Sequence, residues 1–474
     1  MKIIKNYLYN ASFQIFLLLV PLITTPYVAR VLGPNGVGIN AFTNSIIQYF
    51  VLFGSIGINL YGNREIAYHR DDRVKTSQIF WEIEILRLLA IAVSMLVFVV
   101  FIQFEDKYRV YLLMQSVLII AAAFDISWFF MGTEDFKTTV TRNMVVKLIS
   151  IVLIFLFIKS SNDIALYILI ISGSQLFGNL TLWPYLRKRL VKVSFKELKI
   201  LRHLRPSLLL FLPQIATNIY FVLNKTMLGL ISGVITSGFF DNSDKMIKMV
   251  LAIVTATGTV MLPRVANTFA RGETEKVHSY LYSTFEFVTF SSVPLLFGLA
   301  AIAPEFGTWF FGSKFNGIDQ LIMTEAPVIL MIAWGSAIGT QYLLPTKQNR
   351  AYTISVTIGA VTNLLLNIPF ILVLGAIGTA ISTVISEAAV IGFQIFTIRK
   401  QIDLRVLFSD TWKYLISGLV MFIVVFTLNK TIQFNIYTFI GEVLVGVVIY
   451  ICGILITQPK ILKNVKKILK DKKI

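Results

Sequence analysis

Cysteine is almost absent: Cys452 is the single one in 474 residues. No disulfide can form within the chain, and metal or redox motifs built on paired cysteines are excluded. Histidine is nearly as scarce, and His69, His203 and His278 show no metal-ligand spacing. Charge is thin as well, at 14% of residues where a soluble protein carries about a quarter. What charge there is leans one way, with 43 Lys and Arg against 25 Asp and Glu.

Hydrophobic residues fill the gap, at 56% of the chain and a mean hydropathy of +0.75. They run in continuous blocks of about 18 to 25 residues, the length that crosses a bilayer core. A large soluble core would instead show amphipathic periodicity. The expected fold class is all-α, a polytopic membrane protein of about fourteen transmembrane helices. The spans lie near 9–31, 38–61, 78–103, 109–131, 141–159, 164–186, 206–231, 237–262, 279–303, 325–345, 352–373, 375–398, 411–428 and 436–457. The first run is too long for a cleavable signal and has no small-residue cleavage site, so it reads as a helix that stays.

Lys and Arg segregate across these spans. One set of loops, with both termini, carries 32 of them; the other carries only Arg30, Lys107, Arg109, Lys159, Lys314 and Lys430. The positive-inside rule then puts both termini in the cytoplasm. It also accounts for the net charge of +18 with no nucleic-acid partner. The basic stretch 187–205 separates an N-terminal six-helix bundle, 1–186, from a second one, 206–398. Residues 399–474 add helices thirteen and fourteen and a basic tail. With Leu190, Val193, Leu198, Leu201 and Leu204 at near-helical spacing, 187–205 reads as an amphipathic helix on an anionic leaflet or as a solvated linker. The tail reads the same way. An offset of 200 residues aligns Gly33, Gly38 and Arg64 with Gly233, Gly238 and Arg264, a sign of two parallel repeats.

Ionisable and amide side chains inside spans are costly and mark function by default. Span eight holds Asp241, Asp244, Lys245 and Lys248, which either neutralise one another at i, i+4 or form a cationic wall for an anionic substrate. Span seven carries Gln214, Thr217, Asn218, Asn224 and Lys225. Span two carries Asn40, Asn44, Gln48, Ser55 and Asn59, and span one Asn6, Asn10, Gln14 and Thr24. Stripes of amides facing lipid would be expensive, so these faces are expected to line a hydrated cavity suited to sugars. Glu84 with Arg87 and Asp125 with Lys147 are expected internal pairs. Asp125, Glu286, Glu387 and Glu442 are candidates for coupling to a proton or sodium ion. Pro21 and Pro26 are expected to bend the first helix, with Thr24 and Thr25 re-satisfying its carbonyls, and Pro34-Asn35-Gly36 to turn the chain.

The stretch "TPYVARVLGPNGVGINAFTNSIIQYFVLFGSIGINLYGNREIA" from Thr25 to Ala67 resembles the start of Wzx-type polysaccharide-export flippases of the multidrug/oligosaccharidyl-lipid/polysaccharide (MOP) superfamily. Later echoes are "MLPRVANTFARGE" and "LGAIGTAISTVISEA". The resemblance implies a V-shaped pair of six-helix bundles around a central cavity in the bacterial cytoplasmic membrane. It implies movement of undecaprenyl-diphosphate-linked oligosaccharide between leaflets, with H⁺ or Na⁺ as candidate coupling ions. Membrane lipids and polysaccharide polymerase machinery are candidate partners, and no cofactor is expected. On this reading Arg30, Asn40, Asn44, Gln48, Asn218, Asn224, Lys225, Asp241, Lys245 and Lys248 contact substrate. Arg64, Glu65 and Arg264 would gate the cytoplasmic mouth. A glycan polymerase or glycosyltransferase would need catalytic carboxylates in an outer loop, and the longest, 304–324, has Glu305 and Asp319 but no Asp-x-Asp. A drug/cation antiporter is disfavoured by the lysines. A teichoic-acid or peptidoglycan-precursor flippase shares the mechanism.

Overall fold

The computed structural model describes residues 2–255 and 258–462; the side chains of 2–15, 17–18, 136, 212–221 and 259–260 lie outside the description. Every regular element among the described residues is helical. In chain order these are α1 (Lys2–Ser55), α2 (Ile58–His69), α3 (Arg73–Phe101), α4 (Arg109–Gln115), α5 (Val117–Ala123), α6 (Ser127–Gly132), α7 (Phe136–Phe157), α8 (Ile164–Leu180), α9 (Trp183–Leu186) and α10 (Leu204–Ile231). There follow α11 (Val234–Thr255), α12 (Gly258–Ala270), α13 (Thr274–Phe311), α14 (Ile318–Glu325), α15 (Pro327–Gly335), α16 (Asn349–Ile398), α17 (Leu404–Leu407), α18 (Thr411–Thr431) and α19 (Ile436–Thr457). Ten helical stretches among the described residues are long and apolar enough to cross a bilayer, so the chain is a multi-pass membrane protein.

Two helices are too long for single spans. At 1.5 Å per residue α1 and α16 would reach about 80 and 75 Å, against a hydrocarbon core of about 30 Å. Each breaks at one glycine. Gly33 takes φ 68° in α1, and Gly375 takes φ 58° in α16. The reversal in α16 is explicit: Ser382 Oγ donates to Asn367 Oδ1 at 2.9 Å, although fifteen residues separate them. The turn in α1 falls at Gly33 and not at Pro34-Asn35-Gly36. Pro34 opens the next helical leg, where its missing N–H costs nothing. Pro21 and Pro26 lie within continuous helix. Thr24 Oγ1 donates to Val20 O at 3.0 Å, which is not one of the carbonyls those prolines leave without a donor. With both breaks counted as turns, the architecture is consistent with the expected fourteen spans.

By contact the chain forms two compact units, Met1–Gly238 and Phe239–Ile474. In the first, Trp128 stacks on Phe80 with centroids 5.5 Å apart. Gly62 supplies the space, since a Cβ there would meet the indole at 2.4 Å. Helix α10 packs in this unit, whereas the sequence plan put span seven at the head of the second bundle. Its Gly229 receives the Phe42 ring, and Thr226 Oγ1 donates to Ser45 Oγ at 2.8 Å. The glycines aligned by the 200-residue offset also meet here. A Cβ on Gly38 would fall 1.8 Å from Val234 O, and one on Gly238 would fall 2.5 Å from Pro34 O. In the second unit, Phe285 stacks on Trp334 at 5.3 Å, and Trp334 Nε1 donates to Thr289 Oγ1 at 2.8 Å.

The linker 187–205 is not an amphipathic helix. It contains only short 3₁₀ turns at Phe195–Glu197 and Ile200–His203, because its polar groups are held by α3. Glu82, wholly buried in α3, accepts from Lys199 N at 2.7 Å and from the Arg202 guanidinium at 2.5 Å, and it shares a hydrogen bond with His203 Nε2 at 2.7 Å. Tyr61 OH meets His203 Nδ1 at 2.7 Å. The tail beyond Leu462 lies outside the described residues.

Gly38→Ala is expected to destabilise the protein by about 1–3 kcal/mol, because backbone must shift to admit the methyl. Gly392→Ala, where a Cβ meets nothing within 4 Å, is expected to be neutral or slightly stabilising. Thermal unfolding of the detergent-solubilised variants measures both. Burial holds the His203 imidazole below its ordinary pKa, against the Glu82 hydrogen bond. The folded linker therefore binds fewer protons than the unfolded one, and its docking weakens as pH falls below about 6.5. Protection of the amides at 199–205, with the intrinsic base-catalysed exchange rate divided out, is expected to be lower at pH 5 than at pH 8, with that difference lost in His203→Gln.

Candidate functional site

In the first unit the polar face of span two is not turned to lipid. Asn44 and Gln48 sit one turn apart on α1, with Ser55 at its end and Asn59 on α2. Together with Arg87 of α3, Asp125 between α5 and α6, and Gln175 and Asn179 of α8, they line a cavity of about 360 Å³. Gln48 Nε2 donates to Asn44 Oδ1 at 3.3 Å, and Gln175 Nε2 to Asn179 Oδ1 at 3.4 Å. The Asn179 amide donates to Ala121 O at 2.6 Å, capping the last turn of α5. Asn40 lies beside this group. Its Oδ1 accepts from Gln115 Nε2 at 3.4 Å, and Thr43 Oγ1 donates to Gln115 Oε1 at 2.5 Å.

Arg87 is the only cation among the described lining residues. Its guanidinium donates to Asn59 Oδ1 and to the Asp125 carbonyl, and packs over the Trp128 ring at 5.8 Å. The expected Glu84–Arg87 ion pair is not closed. Arg87 reaches across to α2 and the α5–α6 turn, and both oxygens of the buried Glu84 make no hydrogen bond. Asp125 does not pair with Lys147 either: its Oδ1 accepts from Ser127 N at 3.0 Å, and Lys147 is exposed on α7. An amide-lined pocket holding one guanidinium can take hydroxyl-rich ligands and one anionic group.

The remaining expected residues are dispersed. Arg30 is exposed on α1, Asn224 is buried in α10, and the Lys225 carbonyl accepts from Ser237 Oγ at 3.1 Å. The side chain of Asn218 lies outside the described residues. On α11, Lys245 pairs with Asp241 at 2.5 Å and Lys248 with Asp244 at 2.7 Å, as the i, i+4 spacing allows. Arg64 and Glu65 approach to 3.5 Å in the first unit. Arg264 lies over the Tyr280 ring at 4.5 Å in the second. Glu286 is engaged structurally, accepting from Tyr414 OH at 3.1 Å and from Ile461 N at 2.7 Å. Glu442 accepts from Asn429 at 2.8 Å, and Glu387 is buried in the second leg of α16.

Sequence reasoning missed Gln175 and Asn179, though their i, i+4 spacing in an apolar span was a visible signal. It also missed Glu325, which is buried in the second unit and accepts from Ser243 Oγ at 2.6 Å.

The family model described as polysaccharide biosynthesis protein matches residues 3–269, more than half of the chain. The chain belongs to that family. A second model, for the lipid II flippase MurJ, matches residues 144–450. An Escherichia coli (strain K12) protein named as an O-antigen transporter is 22% identical over 409 residues, covering 83% of this chain and 96% of its own. The lipid II flippase MurJ of Bacillus subtilis (strain 168) is 20% identical over 214 residues, 44% of this chain and 39% of its own. Among solved structures, an inward closed lipid II flippase MurJ superposes with a TM-score of 0.77 at 16% identity, covering 98% of this chain and 99% of its own. A multidrug resistance MATE family transporter of the MOP superfamily does so at 0.59 and 15% identity, covering 80% of this chain and 94% of its own. The Wzx-type resemblance carried by Thr25–Ala67 thus agrees with the family model and with relatives that are themselves named as transporters or flippases.

Arg87→Met is expected to cost about 1–3 kcal/mol, because Asn59 Oδ1 and the Asp125 carbonyl lose their donor and buried Glu84 loses the charge that acts on it. Adding Glu84→Gln is expected to restore at least half of the loss, a coupling that a double-mutant cycle of thermal unfolding measures.

Proposed function

We propose that this chain moves undecaprenyl-diphosphate-linked oligosaccharide repeat units, of the capsule or O-antigen kind, from the cytoplasmic to the outer leaflet by alternating access. The observation that carries the reading is the amide-lined cavity with Arg87 in a family member otherwise built from apolar spans. Asn44, Gln48, Asn59, Gln175 and Asn179 offer donors and acceptors in the mixed pattern that sugar hydroxyls need. Arg87 offers the fork that a phosphate oxygen or an acidic sugar accepts. At about 360 Å³ the cavity is in the range of small-molecule sites and suits part of a repeat unit.

The lysines of α11 and Lys225 extend this chemistry in the proposal, with Arg30 on the outer side and Arg64, Glu65 and Arg264 at the cytoplasmic mouth. Both termini are cytoplasmic in this scheme. Coupling to H⁺ or Na⁺ is assigned to Asp125 or Glu387; Glu286 is left out because its carboxylate already ties α13 to α18 and Ile461. Contacts with polysaccharide polymerase machinery would hand on the flipped unit. A peptidoglycan-precursor flippase is the second reading, favoured by the MurJ model match over 144–450. A cation antiporter fits less well, since Arg87 would repel its substrates.

Flipping of defined lipid-linked oligosaccharides in proteoliposomes, with and without H⁺ and Na⁺ gradients, tests the proposal. Gln48→Leu combined with Gln175→Leu is expected to lower the rate at least about tenfold at unchanged protein level, a loss of about 1.4 kcal/mol. Unchanged flipping by that variant would remove the cavity from the mechanism. Transport of lipid II alone would select the second reading.

A further inference from the structure

Helices α7 and α8 enclose a second, quite different space: a groove of about 830 Å³. Its walls are apolar, with Val145, Ile149 and Leu153 on α7 facing Leu166 and Leu169 on α8. One end carries Lys137, Arg142 and Tyr185. Between Lys137 and Leu153 the groove follows α7 for sixteen residues, a rise of about 24 Å. One leaflet of a hydrocarbon core of about 30 Å is roughly half that core. An acyl chain confined to its leaflet would leave the far part of the groove empty. A polyisoprenoid chain would not.

The groove also adjoins the polar cavity. Helix α8 is their common wall, with Gln175 and Asn179 on the cavity side and Gly173, Ser174 and Gly178 on the groove side. Arg142 lies at the thin point of that wall: one guanidinium nitrogen is 3.4 Å from where a Cβ on Gly178 would stand. Its buried Nε has no hydrogen-bond partner. Asp125, which lines the cavity, is the charge that acts on it. A cation with an unused donor therefore stands between a site suited to sugars and a channel suited to hydrocarbon.

We propose that the α7–α8 groove holds the polyprenyl chain of the transported lipid, with its diphosphate at Arg142 and its sugars in the polar cavity. This rests on the function proposed above and adds where the lipid tail lies. The two readings fail differently.

Gly173 gives a clean probe, because a Cβ there meets nothing within 4 Å and a side chain would project into the groove. Binding of undecaprenyl phosphate and of phosphatidylglycerol to the purified full-length protein is measured by native mass spectrometry. The variants are Gly173→Trp, Arg142→Gln and, as a control at another open helical position, Gly392→Trp. Wild type and Gly392→Trp are expected to bind undecaprenyl phosphate alike. Gly173→Trp should bind it at least about tenfold more weakly with unchanged thermal stability, and Arg142→Gln should be weakened as well. Wild-type affinity in Gly173→Trp would overturn the groove assignment and leave the function standing. Equal binding of phosphatidylglycerol, blocked by the same tryptophan, would make this a phospholipid site and overturn the proposal. Failure of wild type to bind undecaprenyl phosphate would overturn the proposal together with the function beneath it.

Discussion

Hydrocarbon offers no water to a backbone amide, so a chain in a bilayer must keep its peptide groups paired within helices and can turn only where a residue tolerates the geometry. Gly33, Gly233 and Gly375 supply that tolerance, with φ of 68°, 89° and 58°. Around the first two, Gly38 and Gly238 let backbone approach backbone closely, which is how helices associate where no hydrophobic force drives them together. The first unit is organised around this constraint. Small residues fix where α1, α10 and α11 cross, and the crossing fixes which face of α1 is turned inward.

The inward face is polar for the same reason that the turns are glycine. An amide or a guanidinium that faced lipid would lose its hydrogen bonds outright. Asn44, Gln48, Asn59, Arg87, Gln175 and Asn179 instead find one another or a freed carbonyl, and the space they leave is a cavity. The Glu84 carboxylate, like the Nε of Arg87 and of Arg142, is an exception, buried with no hydrogen bond. Helix α8 separates this polar space from an apolar groove.

Much of this was legible before any coordinates. Apolar run length located the helices within a few residues: span 78–103 against α3 at Arg73–Phe101, and 436–457 against α19 at Ile436–Thr457. The i, i+4 arithmetic offered the two Asp–Lys pairs of α11 as one of two readings, beside a cationic wall. Breaks inside spans were not legible. Span 109–131 is three short helices, interrupted at Ser116 and around Asp125, because interior turns depend on packing partners distant in sequence. Arg87 was expected beside Glu84 because only local spacing was visible. Its partners, Asn59 and the Asp125 carbonyl, lie 28 and 38 residues away. The linker misled for a similar reason, since its near-helical leucine spacing was outweighed by hydrogen bonds to one buried carboxylate, Glu82.

The central claim is that the amide-lined pocket is a hydrated, substrate-accessible cavity and not packed core. The near absence of cysteine makes it directly measurable. In a Cys452→Ser background, Asn44→Cys and Gln175→Cys are treated in membranes with a membrane-impermeant maleimide, with and without lipid-linked oligosaccharide. Leu365→Cys, on an exposed apolar face, serves as the lipid-facing reference. The account predicts labelling at 44 and 175, none at 365, and protection of the first two by the lipid-linked glycan. Labelling at 44 and 175 no greater than at 365 would contradict it.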